Sequence, residues 1–335
     1  MNKNVMIIAA VTALLFSCTP NNKQDDALSA WNDTPVKQQI LNYVALAQKE
    51  IPVEDRVAVF DMDGTIACET PLWFEMATAV YGMHQQYVKQ PELLKLKEYQ
   101  YAKKLWENPA DTTVLNHWMV DGVNYLDSII LKAFTPVDFE TSIDMSAKYL
   151  METKDKKFNM ILGDMFYEPM LELIELLQKN EFDVYIVSGS MTGVIWSICP
   201  QTIGFNRAHL IGTRQALTPI YQDGKTILRI EKAIFPPKND GNGKSLNIYN
   251  AIGKIPVFAF GNTTGDFGMF HLTATSKYPH MELMLNHDDD QREYAYPPYH
   301  GTAVPAWQDS LEINKWIQVD MSTQFKTVWK EKNKI

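Results

Sequence analysis

Three short apolar runs, each closed by polar residues, constrain this chain more than any other feature. Val57-Ala58-Val59-Phe60 leads into Asp61, Val184-Tyr185-Ile186-Val187 into Ser188, and Val257-Phe258-Ala259-Phe260 into Gly261-Asn262. An unbroken run of this kind, without polar alternation, suits a parallel strand buried on both faces. The runs predict an α/β fold built on an open parallel sheet. In such sheets ligands bind outside the carboxyl ends of the strands, where all three polar clusters would lie.

Between the first two runs lie residues 71–163, far more than the dozen or so that a crossover needs. Their apolar residues recur with helical spacing, as in Leu93, Leu94, Leu96, Tyr101 and Leu105, then Val123, Leu126, Ile129 and Ile130, and the segment holds Trp73, Trp106 and Trp118. We therefore expect an inserted helical cap at 71–163 and a catalytic core formed by 29–70 and 164–335. Thr34-Pro35 reads as an N-cap followed by proline at the first helical position, with Val36, Ile40, Leu41, Val44 and Ala47 on one face. Asp223-Gly224 marks the turn of a hairpin over 217–231, and residues 281–286 read as a further strand. Residues 316–319 look strand-like, and the segment through Trp329 reads as a final helix.

Lys3 is the only charge before an apolar run at 5–16, too short to span a bilayer but the right length for a signal-peptide core. Leu15-Phe16-Ser17-Cys18 closes it and resembles a bacterial lipobox, with Phe a less usual second residue. Residues 1–17 would then be a lipoprotein signal peptide, Cys18 the lipid-bearing first residue of the mature chain, and 18–28 a polar tether. An ordinary cleaved signal with an incidental Cys is the other reading, and both export the protein to the cell envelope. The membrane would be met by the lipid anchor only. Cys68 and Cys199 are too far apart for a metal spacing and read as core residues. With 31 Lys+Arg against 40 Asp+Glu among 335 residues, the chain has no cationic surplus for nucleic acid. A small-molecule partner is expected.

Asp61-Met62-Asp63-Gly64-Thr65 follows the first run directly. Two carboxylates so close repel unless a cation or proton compensates, and phosphoryl transfer uses such a pair: one attacks phosphorus while the other protonates the leaving oxygen and then activates water. The five residues alone would also fit a solvated Asp-Gly turn. Ser188-Gly189-Ser190 follows the second run and can hold phosphate oxygens by a hydroxyl and free backbone N–H groups at a helix start. Lys244, in Gly241-Asn242-Gly243-Lys244-Ser245, starts a helix and can neutralise phosphoryl charge, although the spacing is not that of a Walker A loop. Gly261-Asn262-Thr263-Thr264-Gly265-Asp266 adds an amide and a carboxylate, which with Asp61 are hard oxygen ligands suited to Mg²⁺.

These four motifs, in this order, resemble the haloacid dehalogenase superfamily, specifically its phosphoserine-phosphatase-like branch. The resemblance implies a Rossmann-like core, a closing cap, a Mg²⁺ cofactor and phosphomonoesterase activity through an aspartyl-phosphate. By that likeness Asp61 is the nucleophile and Asp63 the acid/base. Thr65, Ser188, Gly189 and Lys244 bind the phosphoryl group, and the metal site is formed by the Asp61 carboxylate, the Asp63 backbone carbonyl and Asn262, with Asp266 completing or supporting the shell. An Asp at position 63 argues against haloacid hydrolysis, since the family's dehalogenases lack it. Many relatives carry Asp where this chain has Asn262, which implies looser metal binding here. The later run His287-Asp288-Asp289-Asp290-Gln291-Arg292-Glu293-Tyr294 is shared with an exported group of these hydrolases. His287 and Asp288 either line the pocket or belong to a polar turn opening a helix, with Arg292 and Glu293 pairing locally. Glu69, Trp73, Phe74 and Glu75 follow the catalytic loop closely enough to face a leaving group, and an aromatic, acidic wall would suit a cationic alcohol, as in phosphocholine; the other reading of the Trp-Phe pair is core packing. A phosphotransferase with the same chemistry, and a lipoprotein that only binds a phosphate ester, are the rival readings.

Overall fold

The computed structural model describes residues 27–111, 119–120, 123–294, 296 and 305–330. The signal peptide, Cys18, Trp118 and the tether up to residue 26 lie outside the described residues.

The three apolar runs are neighbouring strands. In chain order the strands are β1 (Val57–Phe60), β2 (Met119–Val120), β3 (Val123–Asn124), β4 (Asp183–Met191), β5 (Leu210–Thr213), β6 (Gln215–Gln222), β7 (Lys225–Ile234), β8 (Phe258–Gly261), β9 (Met281–Asn286) and β10 (Ile317–Asp320). Six form one parallel sheet in the order β10-β9-β8-β1-β4-β5. Successive side chains of a strand point to opposite faces, and both faces are covered. Val59, Val187, Ala259 and Met284 enter one core with Ile248, Met269 and Trp307. Ala58, Phe60, Ile186, Phe258 and Leu283 enter the other with Ile40, Tyr43 and Leu173. Hence the runs carry no polar residue.

Register brings the strand ends level. Phe60 pairs with Ile186 on one side and Phe260 on the other, so Asp61, Val187 and Gly261 are the next residues of three adjacent strands.

The helices used below are α1 (Pro35–Glu50), α2 (Phe74–Lys89), α3 (Lys97–Glu107), α4 (Tyr125–Ala133), α5 (Phe139–Glu152), α6 (Glu168–Lys179), α7 (Thr192–Ile203) and α8 (Asn242–Ile252). At α1 the Thr34 hydroxyl accepts from the Lys37 N–H and Pro35 opens the helix, as its sequence predicts. The residues between β1 and β4 supply α2 to α5, which pack on one another through side chains such as Val80, Met83, Ile129 and Ile143. The β6–β7 hairpin turns at Asp223-Gly224, leaves the sheet and reaches this helical insert, where the Ile230 N–H donates to the Val137 carbonyl.

Several expectations change. β4 runs on to Met191, so Ser188-Gly189-Ser190 lies within the strand, where its register shifts, rather than at the start of α7. Val123 belongs to β3 and not to a helix, because the short β2–β3 pair precedes α4. Leu28, assigned to the tether, is buried in the core beside Trp31. The carboxyl-terminal helix is one turn, Met321–Gln324, after which the chain is extended and Trp329 bridges to Tyr167. Its Thr327, Val328 and Trp329 are better suited to an extended strip than to a helix. Among the described residues no helix is long and apolar enough to cross a membrane.

Candidate active site

At the levelled strand ends lies a cavity of about 340 Å³, lined on the sheet side by Asp61, Asp63, Gly189, Ser190, Lys244 and Asp266 and on the insert side by Trp73, Glu75, Leu126, Asp127 and Ile130. Asp61 is placed by its own N–H, which donates to the Phe260 carbonyl at 2.9 Å, and by Lys244. The Lys244 ammonium, from the first turn of α8, donates to Asp61 Oδ1 at 2.5 Å, Asp266 Oδ1 at 2.6 Å and the Val187 carbonyl at 2.9 Å. All three of its protons are thus used, and all three side chains are almost wholly buried. Lys244 can start a helix here because Gly243 passes close to the backbone: a Cβ there would lie 1.9 Å from the Lys238 carbonyl oxygen.

Burial raises the Asp61 carboxyl well above the usual range, and the Asp266 charge adds to this against the pull of Lys244. Burial alone would lower Lys244, but the Asp266 and Asp61 carboxylates outweigh it and hold the ammonium charged. Asp63 is different. Its Oδ2 accepts from the Ser188 and Ser190 hydroxyls at 3.0 and 2.8 Å, while its Oδ1 is buried without a partner. Burial, opposed by these hydroxyls, brings its carboxyl up to about 6. A group poised there can donate and accept a proton near neutral pH.

Not every expected residue faces the cavity. Thr65 is fully buried, its hydroxyl within hydrogen-bond distance of Asp61 Oδ2 and Asn262 Oδ1 and its N–H bonded to the Met62 carbonyl, so it braces the loop rather than offering a donor to a ligand. Ser188 is likewise fully buried, and Ser190 takes the lining position assigned to it. The Asn262 side-chain amide spans Thr65 and Glu69, donating to Glu69 Oε1 at 2.8 Å, and the Asn262 backbone carbonyl accepts from the Trp307 indole. Asp266 Oδ2 accepts from the Asn262 and Thr263 N–H groups. Phe74 packs against Phe166 instead of facing the cavity. Asp288 caps Ser322 away from it, and Arg292 pairs with Asp289 and carbonyls of the terminal segment, not with Glu293. Cys68 and Cys199 are buried and unbridged.

Sequence reasoning missed Asp240, Asp127 and Lys238 as lining residues, since they meet only when the insert folds back on the sheet edge. Lys238 lies 3.3 Å from Asp127 across this mouth. It also missed Asn239, whose side chain ties the Ser188 and Ile211 carbonyls together and so holds the distorted end of β4.

Among the described residues no three His, Cys, Asp or Glu side chains already form a metal-binding cluster. The donor types nevertheless fit Mg²⁺: the sheet wall offers carboxylate and carbonyl oxygens without sulfur or imidazole, and its acidic groups outnumber Lys244.

No family model and no curated protein matches the chain. Solved structures do. The chain is similar to a conserved functionally unknown protein from Anaerococcus prevotii DSM 20548, 14% identical with a TM-score of 0.51, covering 84% of this chain and 91% of that one. It is also similar to a protein with unknown function from Bordetella pertussis Tohama I, 13% identical, TM-score 0.48, covering 79% and 98%. Cytosolic 5′-nucleotidase IIIB bound to cytidine matches at 14% identity, TM-score 0.45, covering 80% and 86%. At 14% identity the likeness to the Anaerococcus protein concerns the fold alone. The molecule is an α/β protein with a Rossmann-like six-stranded parallel sheet and a polar pocket at the carboxyl edge of β1, β4 and β8.

Proposed function

We propose that the chain is a phosphomonoesterase of the haloacid dehalogenase type, with the helical insert acting as its cap. The observation that carries this reading is the asymmetry of the two loop carboxyls: Asp61 held against a buried lysine, and Asp63 carrying an unpartnered oxygen and a carboxyl brought up to about 6.

In the first step an Asp61 oxygen forms a bond to phosphorus as the ester oxygen departs, and the leaving alcohol takes the Asp63 proton. In the second, water gives a proton to Asp63 and attacks phosphorus, and the bond to Asp61 breaks to release phosphate. Ser190 and the Gly189 backbone border the phosphoryl position, while Ser188 and Ser190 aim Asp63. Lys244 offsets charge on Asp61 throughout. Asp61, Asp63, Asp266 and Asn262 would hold Mg²⁺, which would supply positive charge to the phosphoryl oxygens.

For the leaving group, Trp73, Glu69, Glu75 and Asp127 make an aromatic and acidic wall, which favours a small cationic alcohol of the phosphocholine kind. Phosphate release from a panel of monoesters, with and without Mg²⁺, is the test. Metal-dependent release lost by at least about a thousandfold in Asp61→Asn is expected. A folded chain that releases phosphate from no ester, or an equally active Asp61→Asn, overturns the reading. Phosphocholine hydrolysed no faster than an aryl phosphate would remove the cationic preference. We further propose export and lipid attachment at Cys18; fatty-acid labelling of the cell-envelope protein should disappear in Cys18→Ala, and labelling that persists would refute the anchor.

A further inference from the structure

The run that begins at His287 lies behind the catalytic loop. His287 and Glu293 have side chains 1% and 0% exposed, and neither borders the cavity. The imidazole Nε2 lies 2.6 Å from the Gly64 carbonyl oxygen. That oxygen can only accept, so Nε2 carries the proton. Nδ1 lies 3.2 Å from Glu293 Oε2, which fixes the ring orientation. Glu293 is itself held through Oε1, 3.1 Å from both the Tyr167 hydroxyl and the Cys68 thiol.

Gly64 has no room for a side chain. It sits at φ +78°, and a Cβ there would meet Asn262 Nδ2 at 2.1 Å and Glu69 Oε1 at 2.2 Å. Its N–H donates to the Ala67 carbonyl. The N–H groups of Thr65, Ile66 and Ala67 all converge on the Met62 carbonyl. The Gly64 carbonyl is therefore the point at which this compact loop meets the imidazole. The ring also stacks on Tyr296, with centroids 3.8 Å apart and planes at 6°, and Tyr296 donates to Glu69 Oε1 at 2.6 Å. One side chain thus braces the Gly64–Thr65 peptide, one unit beyond Asp63, and, through Tyr296, the carboxylate at the pocket rim.

We propose that His287, oriented by Glu293, is a positioning residue that fixes the catalytic loop through the Gly64 carbonyl, a role that rests on the phosphomonoesterase reading only for its kinetic consequence. A buried imidazole and carboxyl pair adds little stability over apolar side chains of the same volume, so orientation is the effect it suits. Releasing the carbonyl lets Asp63 drift from the leaving oxygen, and displacements of about 1 Å cost up to about a hundredfold in rate.

The test compares the full chain with His287→Ala, His287→Gln and Glu293→Gln, using p-nitrophenyl phosphate in Mg²⁺. His287→Ala should lose about ten- to a hundredfold in kcat with KM within about twofold. His287→Gln, which keeps an N–H within reach of Gly64, should recover much of that loss. The near-isosteric Glu293→Gln should fall between and guards against a His287→Ala chain that fails to fold. The carbonyl carbon-13 resonance of Gly64 is read without turnover: a hydrogen-bonded carbonyl resonates downfield, so it should move upfield in His287→Ala and stay near the wild-type position in His287→Gln. A folded His287→Ala with wild-type kcat, or a Gly64 resonance that does not move, overturns the positioning role. A wild-type chain that hydrolyses no ester but shows the resonance shift overturns the enzymatic reading and leaves the brace standing.

Discussion

The two walls of the pocket are built on different terms. On the sheet wall the Lys244 ammonium meets three acceptors and Asp266 Oδ2 meets two backbone donors in nearly full burial, and the partly buried Asp63 meets two hydroxyls through Oδ2. On the insert wall Leu126 and Ile130 offer apolar surface, and Asp127 makes a half-exposed pair across the mouth with Lys238 of the core. Buried, mutually satisfied groups hold one geometry because each alternative strands a charge or a donor. Half-exposed pairs can exchange with water at little cost. The sheet wall is suited to one fixed reaction and the insert wall to choosing what leaves.

The largest effect should come from the sheet wall. Lys244→Met removes the cation between Asp61 and Asp266 and leaves two buried carboxylates facing each other. Urea unfolding without Mg²⁺ should show a loss of about 3–5 kcal/mol, and adding Asp266→Asn should restore part of it. An unchanged midpoint would mean that the sheet wall is no tighter than the insert wall.

Glu75 stands between the two, since it belongs to α2 yet accepts from the Met191 N–H at the end of β4 at 2.8 Å. Burial brings its carboxyl up to about 7 from 4.5, against that N–H. Because the folded-state value is raised, the folded chain favours the protonated form. The resulting stability is fully present below about 4.5 and is lost as pH rises through about 7. Glu75→Gln should therefore be more stable than wild type at about pH 8, by up to about 3 kcal/mol, with the difference closing near pH 4. Denaturant titrations at both pH values test this; equal shifts at the two would show that Glu75 is not held between the walls by its neutral form.

The same contrast separates what is legible in the sequence from what is not. β1 and β8 were legible because strands buried on both faces have no polar interruption, Asp61 because it directly follows one of them, and Lys244 because it stands in the glycine-bounded first turn of a helix. The end of β4 was not, since its extension past Ser188 depends on the buried Asn239 side chain bridging from another segment. Thr65 and Asn262 carry the right atoms for a ligand, but their partners, Asp61 and Glu69, come from folded proximity. His287 showed a polar run without its use, because the acceptor that gives it meaning lies 223 positions earlier in the chain. Local pattern reports elements, whereas bonds across the fold decide which polar group faces the cavity.

The smallest effect should come from the insert wall. The Lys238 and Asp127 side chains are each 45% exposed, so Asp127→Asn should change stability by no more than about 1 kcal/mol. Its consequence should appear in recognition. If Asp127 faces a cationic leaving group, KM for phosphocholine should rise several-fold while KM and kcat for an uncharged aryl phosphate stay near wild type. The sheet wall is untouched by the substitution, so the kcat on the aryl ester serves as the internal control. A fall in that kcat as large as the change in KM would show that the insert wall shares in the chemistry, and the division between a fixed reaction and a tunable choice would have to be abandoned.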